Sequence, residues 1–288
     1  MRKFVPILFA ASLLVLMVAC QRETIPAQPE EEMVETIFTV GGPQVTKALG
    51  DGSLATQLKV FVYDSENALV TTVQPAVTGT GPWTVKMTLL KGAVYHVAFW
   101  AQSEAAATDT YFTFSGQFVT VNDSFYSAEA QKQDAFWNCV QITGGEKAPA
   151  VTLSRPFALV RVMIPSADIA TFTEQKISVY MSNKSNEPTG MPSEMSLISG
   201  AITGKVNTIA FPKEDKKDIV GTAYEGDATY TVLFNGFVLC NEKILVYIFP
   251  MHDYRESPTT TGSAFYKEWD FPLQRNHKSL LFVPKKNN

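Results

Sequence analysis

The sequence predicts an all-β protein whose mature chain is built as two β-sandwiches. Three observations lead there. Short runs alternate apolar and polar residues with a period of two, and they are rich in β-branched and aromatic side chains. Gly, Pro, Asn and Asp bound these runs. No long segment carries a sustained helical stripe, and no fixed repeat period is visible, which argues against a propeller or a solenoid.

Taken in order, the predicted strands begin with Glu35–Val40 and Leu58–Tyr63, "LKVFVY". The polar tetrad Asp64-Ser65-Glu66-Asn67 then reads as a turn into a partner over Ala68–Val73. Trp83–Leu89 and Tyr95–Trp100 follow; the latter, "YHVAFW", is apolar on both faces toward its end, as a central strand would be. Phe112–Phe118 reads as one strand, and Ser127–Trp137, "SAEAQKQDAFW", as a helix of one or two turns. The turn-rich stretch Thr143–Pro149 marks a boundary, giving an N-terminal domain over 34–146 and a C-terminal one over 147–288. Beyond it lie Ala158–Ile164, Lys176–Met181, Ala228–Leu233, Ile244–Phe249 and Ser279–Val283. Pro156 lacks an N–H and belongs at an edge or bulge before Ala158. Arg155 and Arg161 interrupt an apolar run and are expected to reach solvent along the sheet.

The N-terminus is of a different kind. Arg2 and Lys3 precede fifteen uncharged residues, Phe4–Val18. That is shorter than the roughly 20 residues of a membrane span and fits the h-region of a signal peptide over 1–19. The run "LMVAC" ends on Ala19 and Cys20 and resembles a bacterial lipobox, with Met17 where Leu is commoner. The resemblance implies that the Cys20 sulfur takes a diacylglycerol (with a fatty acyl chain such as palmitate on the new N-terminus) and anchors the protein to a membrane. Gln21–Met33 holds four Glu, two Pro and almost no large apolar side chain, so residues 20–33 are expected to be a flexible acidic tether. The tether loosely resembles the surface-export signals of Bacteroidetes lipoproteins, which implies display at the cell outer membrane.

Loss of Arg2 and Lys3 with the signal leaves 22 basic against 28 acidic residues, a net charge of −6. No basic footprint for nucleic acid is present. Cys139 and Cys240 are the remaining cysteines; a disulfide between them and two separate buried thiols are both open. The chain has three histidines, His96, His252 and His277, and lacks zinc-protease, nucleophile-elbow, phosphate-loop, dinucleotide-fingerprint and EF-hand spacings. The densest polar cluster, His252–Glu256, "HDYRE", reads as a solvated loop. No catalytic residue, metal ligand or cofactor is therefore expected. Trp83, Trp137 and Trp269 could stack on sugar rings if exposed, whereas aromatic strand residues more often fill cores, Trp100 above all.

Four stretches carry a resemblance to a known family. They are the lipobox at Met17–Cys20, "VTKALGDGSLATQLKVFVYDSENALV" over 45–70, "LSRPFALVRVMI" over 153–164 and "FPLQRNHKSLLFV" over 271–283. Together they are similar to the fimbrillin-like lipoproteins of Bacteroidetes, pilus subunits and their surface relatives. The resemblance implies two transthyretin-like sandwiches and a role in adhesion or fimbrium assembly, with other fimbrillin-like subunits as partners. It also implies a protease that cuts after a basic residue and removes the first strand, so that a neighbour's strand fills the groove. Glu35–Val40 would be that strand, and Lys47, the one basic residue between it and Leu58, the cut. The ending His277-Lys278-Ser279-Leu280 departs from the family's aromatic, and Pro284 poorly continues a donor strand. Both point to an accessory, anchor or tip subunit. The alternative is a monomeric surface lipoprotein that binds a glycan or host ligand.

Overall fold

Inward- and outward-facing side chains alternate along the first strand as its sequence requires. In β1 (Met33–Gly41), Thr36, Phe38 and Val40 are buried while Met33, Glu35, Ile37 and Thr39 are exposed. The computed structural model describes residues 31–42, 52–104, 106, 111–122, 133–170, 176–183, 191–207, 214–215, 223–224, 226–239, 243–251, 265–269 and 271–283. The elements lie in the compact unit Met33–Asn288, and nearly all of them are strands. The described helical structure is a short α1 (Ser166–Ala170) and isolated turns.

The strands form five sheets. The first orders β4 (Trp83–Leu90), β1 and β9 (Val151–Thr152). The second orders β3 (Leu69–Val73), β2 (Ala55–Asp64), β5 (Val94–Ser103) and β8 (Ala135–Thr143). The third orders β13 (Ile202–Asn207), β12 (Met191–Ser196), β7 (Phe118–Val121) and β6 (Phe112–Ser115). The fourth runs β15 (Ala223–Tyr224), β16 (Asp227–Val238), β10 (Ala158–Pro165), β19 (Lys278–Phe282). The fifth runs β14 (Glu214–Asp215), β11 (Lys176–Asn183), β17 (Ile244–Met251), β18 (Phe265–Glu268). Two sheets cross the turn-rich stretch at 143–149: β9 joins β1, and β12 joins β7.

Two cores result. One lies between the first and second sheets, where Phe38, Val40, Trp83, Val85 and Met87 meet Leu58, Val60, Val62, Val97 and Phe99. The other face of the second sheet, with Phe61, Tyr63, Ala98 and Trp100, packs into a larger core with Phe112, Val119, Met195, Val160, Val179 and Val246. The second sheet is thus covered on both faces, which is why "VFVY" and "VAFWA" read as unbroken apolar runs.

Turn chemistry explains the local connections. Between β2 and β3, Asp64 Oδ1 accepts from the N–H groups of Glu66 and Ala68, both at 2.9 Å, and Asn67 takes a left-handed φ of 66°. The run Phe112–Phe118, which reads as one strand, is broken by a two-residue hairpin at Gly116-Gln117, where Gly116 has φ 56°. The helix expected over Ser127–Trp137 does not hold where it can be followed. Ala135–Trp137 open β8 instead, because nine rungs of pairing with the central β5 outweigh the helix propensity of Ala and Gln. Residues 127–132 lie outside the described residues.

Candidate functional site

β1 contains Glu35–Val40, the strand that the family resemblance marks as removable. β1 pairs antiparallel with β4 over eight residues, from Met33↔Leu90 to Val40↔Trp83. On its other side, among the described residues, β1 meets the two-residue β9 alone, in parallel, at Val40 and Gly41. Six residues of that second edge, Met33–Phe38, and Thr39 beyond them have no β9 partner. The inward side chains seat β1 on the core below. Phe38 is wholly buried and meets Phe99 edge-on, with ring centroids 5.3 Å apart. Thr36 is also buried, and its Oγ1 has no hydrogen-bond partner. At the outer face Lys86 and Glu35 form a loose, exposed ion pair at 3.8 Å, worth little in water. At its far end the strand passes into Gly42, whose missing Cβ lets the Thr80 carbonyl approach.

β1 is therefore a lid strand: a long ladder to one neighbour, a short bridge to the other, and a strip of core beneath it. Withdrawing it would uncover the groove between β4 and β9 lined by Val85, Met87, Val60 and Phe99. Cys20 and Lys47, the residues expected to carry the lipid and the cut, lie outside the described residues, as do Cys240, His252–Glu256 and Pro284.

The other expected positions are spread through the fold. Trp83, Trp100 and Trp269 are buried, and Trp137 is half-buried with its Nε1 donating to the Leu197 carbonyl at 2.8 Å. None of the four tryptophans presents an exposed ring. Cys139 is a free thiol that packs against the larger core, and burial pushes its pKa up to about 12. Burial also raises the pKa of Tyr63, with the nearby Cys139 adding to it; the phenol donates to the Gly116 carbonyl at 3.0 Å. His96 sits half-buried in β5 opposite Tyr63. Among the described residues no three His, Cys, Asp or Glu side chains are grouped to hold a metal ion.

Arg155 departs most from its sequence reading. It does not reach solvent: its side chain is fully buried, with Nε and Nη2 each 2.6 Å from the two carboxylate oxygens of Asp134. The guanidinium also lies 4.6 Å from the Phe136 ring and 5.5 Å from Phe237. A planar fork matched to a carboxylate and stacked on aromatic faces is what a buried arginine requires. Asp134 precedes β8 and Arg155 lies between β9 and β10, so the pair fastens the two halves of the chain. Arg161 behaves as expected, half-buried, with Nε 3.3 Å from Asn235 Oδ1. The Arg275-Asn276 pair is likewise structural. Arg275 Nη2 donates to the Gly200 carbonyl, and Asn276, with φ 56°, turns the chain so that β19 runs parallel to β10.

Comparisons with known proteins agree with this architecture. The chain matches a family of unknown function, DUF6562, over residues 30–281. Comparison with curated proteins yields no match. Among solved structures it is similar to a candidate adhesin from Bacteroides ovatus, at 12% identity over 88% of this chain and 87% of that one, with a TM-score of 0.51. It is also similar to the fimbrial anchor protein Mfa2 from Porphyromonas gingivalis, at 12% identity over 82% of each chain and a TM-score of 0.47. A candidate polysaccharide-binding protein (DUF1812) from Bacteroides thetaiotaomicron follows at 12% identity, 74% and 76% coverage and a TM-score of 0.45. The likeness to the Bacteroides ovatus protein is one of fold, and it falls in the group of bacteria that the sequence resemblance indicated.

Proposed function

The chain belongs to the DUF6562 family of unknown function, and from that premise we propose that it is a lipid-anchored, non-catalytic surface protein that serves as an accessory, anchor or tip subunit of a fimbrium. Cys20 is the point of attachment at the outer membrane. Cys20 thus holds the uncut chain; cleavage after Lys47 separates β1, and Cys20 with it, from the rest of the protein, and a strand from a neighbouring fimbrillin-like subunit takes its place. The observation that carries this reading is the lid-like seating of β1, paired over eight residues to β4 and over two to β9, and resting on an apolar groove. Backbone pairing would supply affinity for the incoming strand, and the seats of Thr36, Phe38 and Val40 would select its side chains. The adhesin and fimbrial-anchor descriptions of the solved proteins support the same role. β19 is engaged in its own sheet beside β10, which suits a subunit that receives a strand rather than one that donates its own.

Treating envelope that carries the protein with a trypsin-like protease, then sequencing the new N-terminus, tests the mechanism. Cleavage of the Lys47–Ala48 bond followed by exchange of β1 for a strand peptide is expected. A protected bond together with no assembly would remove the donor-strand reading. Cys20→Ser should abolish lipid labelling and release the protein from membranes; labelling that persists would overturn the anchor. Immunoelectron microscopy separates the fimbrial role from the alternative of a monomeric glycan-binding lipoprotein. Label on filaments or at their ends supports the first, and uniform label without filaments the second.

A further inference from the structure

A second place in the fold has an incomplete ladder. β2 is ten residues long and pairs with β5 from Ala55 to Asp64. On its other side β3 covers only Val60–Tyr63, ending at the rung Val60↔Val73. Among the described residues, Ala55–Lys59 are thus paired on one side alone. Among the described residues nothing takes the place of β3 there, because the chain leaves the sheet at Gln74 and Pro75, and Pro75 has no N–H to give a ladder. Among the described residues no backbone hydrogen bond joins Thr56–Lys59 to 74–77. What remains is a cleft of about 360 Å³ lined by Thr56, Gln57, Leu58, Gln74, Ala76 and Glu104, among others.

Three features of the cleft bear on what fits it. β2 carries a bulge between Ala55 and Gln57 at this point, and bulges commonly re-aim a side chain beside a binding site. The Gln57 Oε1 is screened from solvent and has no hydrogen-bond partner, a cost that a donor brought by a ligand would relieve. No aromatic ring is among the described residues that line the cleft, which gives a sugar no stacking platform there, whereas an unpaired strand edge suits a peptide backbone. Glu104, exposed just past the end of β5, is the ionisable side chain among the described residues of the lining and makes them acidic. At strand spacings of roughly 4.8 Å and 10 Å and a rise of about 3.4 Å per residue, the volume takes about two residues of extended chain.

We propose that the cleft between Thr56–Leu58 and Gln74–Val77 accepts an extended peptide segment of about two residues, one of them basic, which pairs beside Thr56–Leu58 where β3 has ended. β2 also lines the core beneath β1 through Val60, but this edge lies outside the β1–β4 ladder, so the two sites are tested separately. The ligand pairs its backbone with β2 and sets its Lys or Arg against Glu104. Binding here requires no cleavage at Lys47 and no movement of β1.

The test uses the full-length chain, uncut, on an array of acetylated pentapeptides of varied sequence. β-forming peptides with one Lys or Arg should be retained. N-methylation of the pairing amides should weaken the best peptide by about tenfold, the equivalent of one lost hydrogen bond. Ala76→Trp, at an exposed loop position, should narrow the cleft and reduce binding by about tenfold or more, and Glu104→Gln should remove the preference for a basic residue. Circular dichroism confirms that both variants fold. No retained peptide, or retention indifferent to N-methylation and to both variants, would overturn the proposal. So would binding of a glycan array that Ala76→Trp abolishes, which would make the cleft a sugar site.

Discussion

Replacing Phe38 by Ala asks how firmly β1 is held. Phe38 is fully buried and packs edge-on against Phe99. A buried phenylalanine removes about 150–250 Å² from water, which at about 25 cal/mol per Å² is roughly 4–6 kcal/mol. Alanine retains roughly one methylene equivalent, about 0.8 kcal/mol. The loss should then be about 3–5 kcal/mol, the range found for such truncations. That is a large part of the 5–15 kcal/mol by which a typical domain is stable. The four tryptophans, none of them exposed, provide the fluorescence signal for a urea titration. With a slope near 3 kcal/mol per molar urea, the midpoint should fall by about 1–1.7 M. If β1 instead opens as a unit of its own, the same loss should appear as faster amide exchange confined to β1 and the facing residues of β4. A shift below about 0.3 M in the titration, with unchanged exchange in both strands, would mean that Phe38 does not fasten the lid strand.

Three further outcomes follow from buried polar groups. Thr36→Val removes a buried hydroxyl that has no partner while keeping its shape, so it should stabilise the chain by about 1 kcal/mol in the same titration; a loss of stability would show that Oγ1 is satisfied. Arg155→Met should destabilise by about 3–5 kcal/mol because it strands the Asp134 carboxylate. Adding Asp134→Leu should recover much of that, and a double variant no better than the single would deny the coupling. Burial raises the Cys139 pKa from its ordinary 9.0 to about 12 in the folded chain. Its contribution to stability is therefore intact below pH 9 and is lost as the pH rises from there toward 12. In a Cys20→Ser, Cys240→Ser background the remaining thiol should resist iodoacetamide at pH 8 until the chain is unfolded, and rapid alkylation of folded protein would contradict its burial.

The parts of the fold legible in the sequence are those whose residues carry the pattern of their own environment. β1 alternates because one face meets the core and one meets water, and Glu35–Val40 shows it without help. "LKVFVY" and "YHVAFW" are apolar on successive residues because both faces of their sheet are covered. β12 shows the opposite case. "MPSEMS" has a proline and no β-branched residue, and it is a strand because β7 and β13 pair with it around a bulge between Pro192 and Glu194. β8 was hidden by the helix formers before it. Arg155 was unreadable for another reason, since its partner lies 21 residues earlier and neither residue marks the other in sequence. The candidate site divides similarly: the lid strand is a local pattern, whereas the cleft beside β2 depends on where β3 stops, which only the pairing reveals.

The geometry of β1 has a mechanical side. A pull on Met33 directed along the strand loads the eight rungs to β4 together, as a shear, rather than peeling them one at a time. Forced unfolding is governed by the rate of crossing the unfolding barrier, not by equilibrium stability. A subunit tugged from its N-terminal side would therefore hold far longer than its free energy suggests. Cutting the chain just after β1 would remove the covalent link and leave the pairing of that strand to carry the load into the rest of the protein.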